Sequence, residues 1–181
     1  MAHRWIVTAL GKDRPGIVAG VTKILYRLGC NLEDSAMTRL EGEFAIMLIF
    51  SAKAQQTEEK LRKAFEPLAK RLALVIHLKP LTKSETAAPR KRGSAHLISV
   101  YGADRPGIVF QVSETLARSG VNIADVHTHR TIEGGPSLYM LLLEVEIPPS
   151  KAVSAVEQSL RRIAKRLNVE VSLRPTEAAI L

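Results

Sequence analysis

Gly11-Lys12-Asp13-Arg14-Pro15-Gly16-Ile17-Val18 returns ninety-one positions later as Gly102-Ala103-Asp104-Arg105-Pro106-Gly107-Ile108-Val109. Before the first copy, Trp5 to Leu10 is short, apolar and partly β-branched, the pattern of a buried strand. After it, Ile17, Val18, Val21, Leu25 and Leu28 recur at helical spacing, and Gly29 stands where a helix-ending glycine belongs. Each copy therefore marks a strand-to-helix turn, and the repeat divides the chain into two like units.

The rest of the first unit follows in order. Asn31 to Arg39 reads as a more polar second strand, Glu41-Gly42-Glu43 as a tight hairpin, and Phe44 to Phe50 as a third strand. Thr57 to Leu72 places Leu61, Phe65, Leu68 and Leu72 on one helix face, with Pro67 predicting a kink or an earlier end. Leu74 to Leu78 is a fourth strand. Residues 81–94 have linker composition and no periodicity. The second unit repeats the pattern: a strand over Leu97 to Tyr101, a helix carrying Ile108, Val109, Val112 and Leu116, then Gly120-Val121-Asn122-Ile123 matching Gly29-Cys30-Asn31-Leu32. Glu133-Gly134-Gly135-Pro136 reads as a longer hairpin turn, Leu138 to Val145 as the third strand. Leu160, Ile163, Ala164 and Leu167 mark the last helix, and Val169 to Leu173 the last strand.

Strand, helix, strand, strand, helix, strand with right-handed crossovers predicts an α+β chain of two ferredoxin-like βαββαβ domains, residues 1–80 and 95–175. Both helices then cover one face of each antiparallel sheet. The runs 44–50 and 138–143 are apolar at nearly every position, as in strands buried on both faces. This predicts that the second face, or an edge beside it, is covered by the partner repeat or by a second chain. Met47 and Met140, in equivalent strands, read as core.

Composition narrows the classes of function. No apolar run approaches the roughly 20 residues that cross a bilayer, and Met1-Ala2-His3-Arg4-Trp5 enters a strand pattern with no export signal. The single cysteine, Cys30, rules out an intrachain disulfide framework and suits a reducing, cytoplasmic setting; it is expected at a strand start, buried or half-buried. The net charge of +8 lies in the first 83 residues, where 14 basic face 8 acidic side chains, and in 84–93; residues 94–181 hold 9 of each sign. So different a net charge in two copies of one fold predicts that they do not share a nucleic-acid-binding function based on charge. With only 4% aromatic residues, the chain offers few stacking platforms, so direct nucleic-acid binding, through Arg90, Lys91 and Arg92, is disfavoured. His127-Thr128-His129 with Asp125 points two imidazoles to one side of a strand, but the first unit has Asp34, Ala36 and Thr38 there. Polar strand residues are the favoured reading over a metal site, and no cofactor is expected. No catalytic serine, phosphate-cradling glycine loop or paired-carboxylate motif appears, so no enzyme activity is expected.

The residues do describe a candidate ligand site. Pro15 and Pro106 suit the first helical position, and the N–H groups near Gly16-Ile17 and Gly107-Ile108 lack intrahelical partners. With the helix dipole they offer a place for a carboxylate. Glycine at 16 and 107 permits close approach to the backbone. Asn31 and Asn122 carry the donor and acceptor that an amino acid's carboxylate and ammonium require, and Asp13 and Asp104 either bind the ammonium or cap the helix. Turn and cap chemistry explains much of the same pattern.

Asp-Arg-Pro-Gly-Ile-Val, followed thirteen residues after its glycine by Gly-x-Asn-Leu or Gly-x-Asn-Ile, resembles the ACT domain family. The resemblance covers nearly the whole chain outside 81–94. It implies small regulatory modules that bind amino acids between paired domains, with Asp13, Arg14, Pro15, Gly16, Ile17, Asn31 and Leu32 lining one site. Asp104, Arg105, Pro106, Gly107, Ile108, Asn122 and Ile123 line the other. Two such domains with nothing attached look like the glycine cleavage system transcriptional repressor family. That likeness implies a cytoplasmic, non-catalytic sensor of a small amino acid, glycine or serine, oligomeric or tightly paired, acting through a partner transcription factor. The alternative is a module acting in trans on an enzyme of amino-acid or one-carbon metabolism.

Overall fold

The computed structural model describes residues 2–82, 93–131 and 137–176. Its chain forms two compact units, Met1–Ala88 and Pro89–Leu181. The first runs β1 (Ala2–Lys12), α1 (Ile17–Arg27), β2 (Asn31–Leu40), β3 (Glu43–Lys53), α2 (Glu58–Leu72) and β4 (Val75–Pro80). The second runs β5 (Ser94–Ala103), α3 (Ile108–Arg118), β6 (Asn122–Thr131), β7 (Leu138–Ile147), α4 (Val153–Leu167) and β8 (Val169–Pro175). Their sheets are antiparallel, in the orders β2-β3-β1-β4 and β6-β7-β5-β8, the arrangement expected of a ferredoxin-like α+β fold.

Alternation along β1 and β3 builds the first core. Val7 pairs with Leu48 and Ala9 with Ile46, all buried against Ile17, Val21 and Leu25 of α1 and Leu61, Phe65 and Leu68 of α2. In the second unit Ile98, Val100, Leu141 and Leu143 meet Ile108, Val112, Leu116, Val156 and Leu160. The intervening residues face away from the helices. Met47 and Met140 sit on these outer faces at 50% and 39% exposure, so they are not core. Their strands are apolar at successive positions, but only every second side chain reaches the helices.

The helix ends explain several single residues. Gly29 (φ 65°) and Gly120 (φ 69°) close α1 and α3. Cys30 and Val121 donate back to Leu25 and Leu116, while the two glycines donate to Tyr26 and Ala117, which is the Schellman arrangement. Helix α2 continues through Pro67 to Leu72, against the expected early end. Pro67 is exposed, so solvent can reach the Lys63 carbonyl that the missing N–H leaves unbonded. Glu41 (φ 55°) and Gly42 (φ 99°) form the two-residue β2–β3 hairpin. Arg90, Lys91, Arg92 and the Glu133–Pro136 turn lie outside the described residues.

Candidate functional site

At each strand-to-helix turn the chain makes the same construction. Gly16 has φ 94° and ψ −2°, and Gly107 has φ 93° and ψ −1°, the third position of a type II turn with proline second. These glycines are the helix N-caps, and the first helical residues are Ile17 and Ile108. The prolines thus stand two residues before the helix, not at its first position. No side chain caps either helix, which removes the capping role offered for Asp13 and Asp104. The first intrahelical bonds are Gly20 N–H to Gly16 and Gln111 N–H to Gly107. The three N–H groups before each of them therefore have no intrahelical acceptor.

The aspartates instead tie the turn to the neighbouring hairpin. Asp13 N–H donates to the Gly42 carbonyl (2.8 Å), and Arg39 Nη1 donates to its carboxylate (3.3 Å). Asp104 N–H donates to the Ser137 carbonyl (2.8 Å), and its carboxylate faces Arg130 Nη1 at 3.6 Å and the Ser137 hydroxyl at 3.4 Å. Arg39 and Arg130 were absent from the sequence-derived site. The signal that would have found them is the shared offset, since they recur ninety-one positions apart like the motif itself. Arg14 and Arg105 are exposed and make no ion pair among the described residues. In the second unit Arg105, Val109, Phe110 and Tyr139 border a shallow depression of about 380 Å³ beside the helix start. Phe110 is 66% exposed, and the equivalent residue of the first unit is Ala19.

The asparagines are elsewhere. Asn31 opens β2 opposite Ser51, whereas the motif follows Lys12, which stands opposite Glu43. Eight residues of β3 separate those levels, roughly 27 Å of strand. Asn122 opposite Glu146 and Ala103 opposite Leu138 repeat that separation. One unit therefore brings Asp13 to Ile17 together, and likewise Asp104 to Ile108, but holds Asn31, Leu32, Asn122 and Ile123 at its other end. A bulge follows each asparagine pair, between Leu32 and Asp34 and between Ile123 and Asp125. The asparagine surroundings also differ. Asn122 Nδ2 donates to Glu146 Oε2 (3.3 Å), whereas Asn31 is level with Ser51 and Arg4, and Arg4 pairs with Glu33 at 2.6 Å.

His127 Nε2 lies 2.9 Å from Asp125 Oδ2 on exposed β6, and no three His, Cys, Asp or Glu side chains among the described residues are arranged to hold a metal ion. Cys30 is half-buried just before β2, and burial pushes its thiol pKa up. Among the described residues no helix is long and apolar enough to cross a membrane.

Comparison with known proteins bears on the family and the fold. An Escherichia coli K12 protein named glycine cleavage system transcriptional repressor is 28% identical over 175 residues, covering 94% of this chain and 89% of that one. The fold matches a crystal structure of an unknown protein from Galdieria sulphuraria with a TM-score of 0.82 at 24% identity, covering 98% of this chain and all of the other. It also matches a structure provisionally described as a glycine cleavage system transcriptional repressor, with a TM-score of 0.68 at 18% identity, covering 98% and 99% of the two chains. At these identities the structural matches speak to fold alone. The model of the ACT domain matches residues 3–79 and again 95–174, so the chain belongs to the ACT domain family and carries the domain twice.

Proposed function

We propose that this chain is a cytoplasmic, non-catalytic sensor of a small amino acid that regulates a transcription factor by direct contact. The observation that carries the reading is the duplicated helix start, where N–H groups without intrahelical acceptors follow an arginine that makes no ion pair among the described residues, within an ACT domain. A carboxylate fits that combination of dipole, donors and guanidinium. The Asp13 and Asp104 carboxylates are held by Arg39 and Arg130, so they position the turn and leave the ammonium to another group. The roughly 27 Å between turn and asparagine is too long for one small ligand to bridge. The asparagine completing a site must come from outside that unit, as the family habit of binding between paired domains implies. Residues 81–94 serve as the linker in this reading.

Calorimetry of the full chain against the twenty amino acids, glycine and serine first, tests the ligand. Binding tighter than millimolar is expected, weakened about tenfold or more by Arg14→Ala or Arg105→Ala through loss of a charge-assisted bond. Absence of any such binding refutes the sensing role. Affinity capture is expected to recover a transcription regulator; recovery of an enzyme of amino-acid or one-carbon metabolism would move the role to the trans-acting module.

A further inference from the structure

Away from the motif, the furrow between the two helices of each unit carries unbalanced positive charge. In the first unit a furrow of about 320 Å³ is bordered by Lys23 and Arg27 from α1 and Arg71 from α2, over Ile24, Ala64 and Leu68. In the second, a furrow of about 370 Å³ is bordered by Arg118 from α3 and Arg162 and Arg166 from α4, with the hydroxyls of Thr115, Ser119 and Ser159.

Elsewhere on the helices most cations are neutralised, Lys60 and Lys165 being exceptions among the described residues. Arg62–Glu58, Lys63–Glu59, Lys70–Glu66 and Arg161–Glu157 close at 2.6 to 2.7 Å as i,i+4 pairs. Lys23, Arg27 and Arg71 have no ion pair among the described residues. Arg162 and Arg166 donate to the uncharged acceptors Ser159 Oγ and Gln111 Oε1. Only Arg118 meets a carboxylate, Glu114 at 2.9 Å.

The helix dipole favours a cation in a last turn and so accounts for Arg27, Arg71 and Arg166. It does not account for Lys23 or Arg162, each of which sits one turn earlier and sets like charges at i,i+4, a spacing that weakens a helix. Nor does simple descent from a common repeat. The position of Lys23 holds Glu114 in the second unit, and the position of Arg162 holds Pro67 in the first. Three cations are kept while one of them moves from the first helix to the second.

We propose that each inter-helix furrow binds a compact oxyanion of the phosphate class, a pyrophosphate or phosphate ester, with the first unit's furrow the stronger because no carboxylate shares it. Guanidinium groups suit phosphate oxygens in both furrows, hydroxyls stand beside them in the second alone, and the small apolar floor offers too little area to seat a protein helix. This site is independent of the amino-acid reading, since it lies between the helices rather than at their starts.

Inorganic pyrophosphate titrated into the full chain at low ionic strength, followed by calorimetry, tests it. Saturable binding is expected, with Arg27→Gln plus Arg71→Gln weakening the tighter site about tenfold. Arg62→Gln plus Lys63→Gln removes the same charge outside the furrow and is expected to change affinity less than twofold, as screened surface charges do. All these side chains are exposed, so both variants should fold, with thermal midpoints within a few degrees of the parent's. The proposal is overturned by absence of saturation, by equal losses in the two variants, or by duplex DNA or polyglutamate binding tighter than pyrophosphate through the same arginines.

Discussion

Two glycines of the repeated motif are required for different physical reasons. At Gly16 a Cβ would meet nothing within 4 Å, so the cost of a side chain lies wholly in the φ of 94°. Gly16→Ala is expected to destabilise the first unit by about 1–2 kcal/mol, the penalty of an L-residue with positive φ. It should lower the urea midpoint with an unchanged slope. At Gly11 the added methyl would sit 2.8 Å from Leu74 Cδ2 and 3.1 Å from the Ala73 carbonyl, a close approach repeated where Gly102 meets Val169. Gly11→Ala therefore acts by overpacking, about 1–3 kcal/mol, and its cost should add less than fully to that of Leu74→Ala in the double variant. Cys30 presents a third residue-level case. Burial raises its pKa in the folded chain, so the stability it contributes is complete below the unfolded value and is lost as pH rises through the folded one. Iodoacetamide should label native Cys30 more slowly than the urea-unfolded chain at mildly alkaline pH, and Cys30→Ala should flatten the alkaline fall in stability.

At the scale of elements, α2 ends on Ala73 in the left-handed conformation (φ 52°, ψ 46°), whereas α4 ends on Asn168, which tolerates it. Ala73→Gly is expected to raise stability by about 0.5–1 kcal/mol, relief of the left-handed cost offset in part by unfolded-state entropy. A higher thermal midpoint would show it. The same elements separate what periodicity reveals from what it hides. The six-element order and the glycine helix ends were legible because each rests on residues within one turn or one strand. The bulges after Leu32 and Ile123, the aspartate tether to the hairpin, and the strand-length gap between motif and asparagine were not. Each depends on which residue of β3 or β7 stands opposite, a long-range register that no local pattern carries. The place of Pro15 is hidden from the sequence for a related reason. Pro-Gly before a helix satisfies both a first-turn proline and a type II turn, and only the backbone angle of Gly16 separates them.

For the molecule as a whole, the outer sheet faces are the unresolved chemistry of the two units, and they are unlike. On the first, Ile49, Met47 and Ala45 of β3 stand beside Ile6, Thr8 and Leu10 of β1, with Leu10 50% exposed. On the second, Glu144 replaces the apolar residue at the Ile49 level and stands opposite Asp125, while His127 and His129 flank Leu142 and Met140. A half-exposed apolar face favours coverage in proportion to its area, so the first sheet is where a second surface gains more by docking. Met47→Glu is then expected to change the sedimentation of the full chain or to lower its stability by about 1–3 kcal/mol, because it places a charge under whatever covers β3. Met140→Glu should have the smaller effect, since its face already carries charge within a strand's width. If Met47→Glu changes neither sedimentation nor the urea midpoint beyond the about 0.5 kcal/mol of an ordinary surface substitution, the face is solvated. The outward-facing apolar residues of β3, Ala45, Met47 and Ile49, would then serve only the pairing of their own sheet.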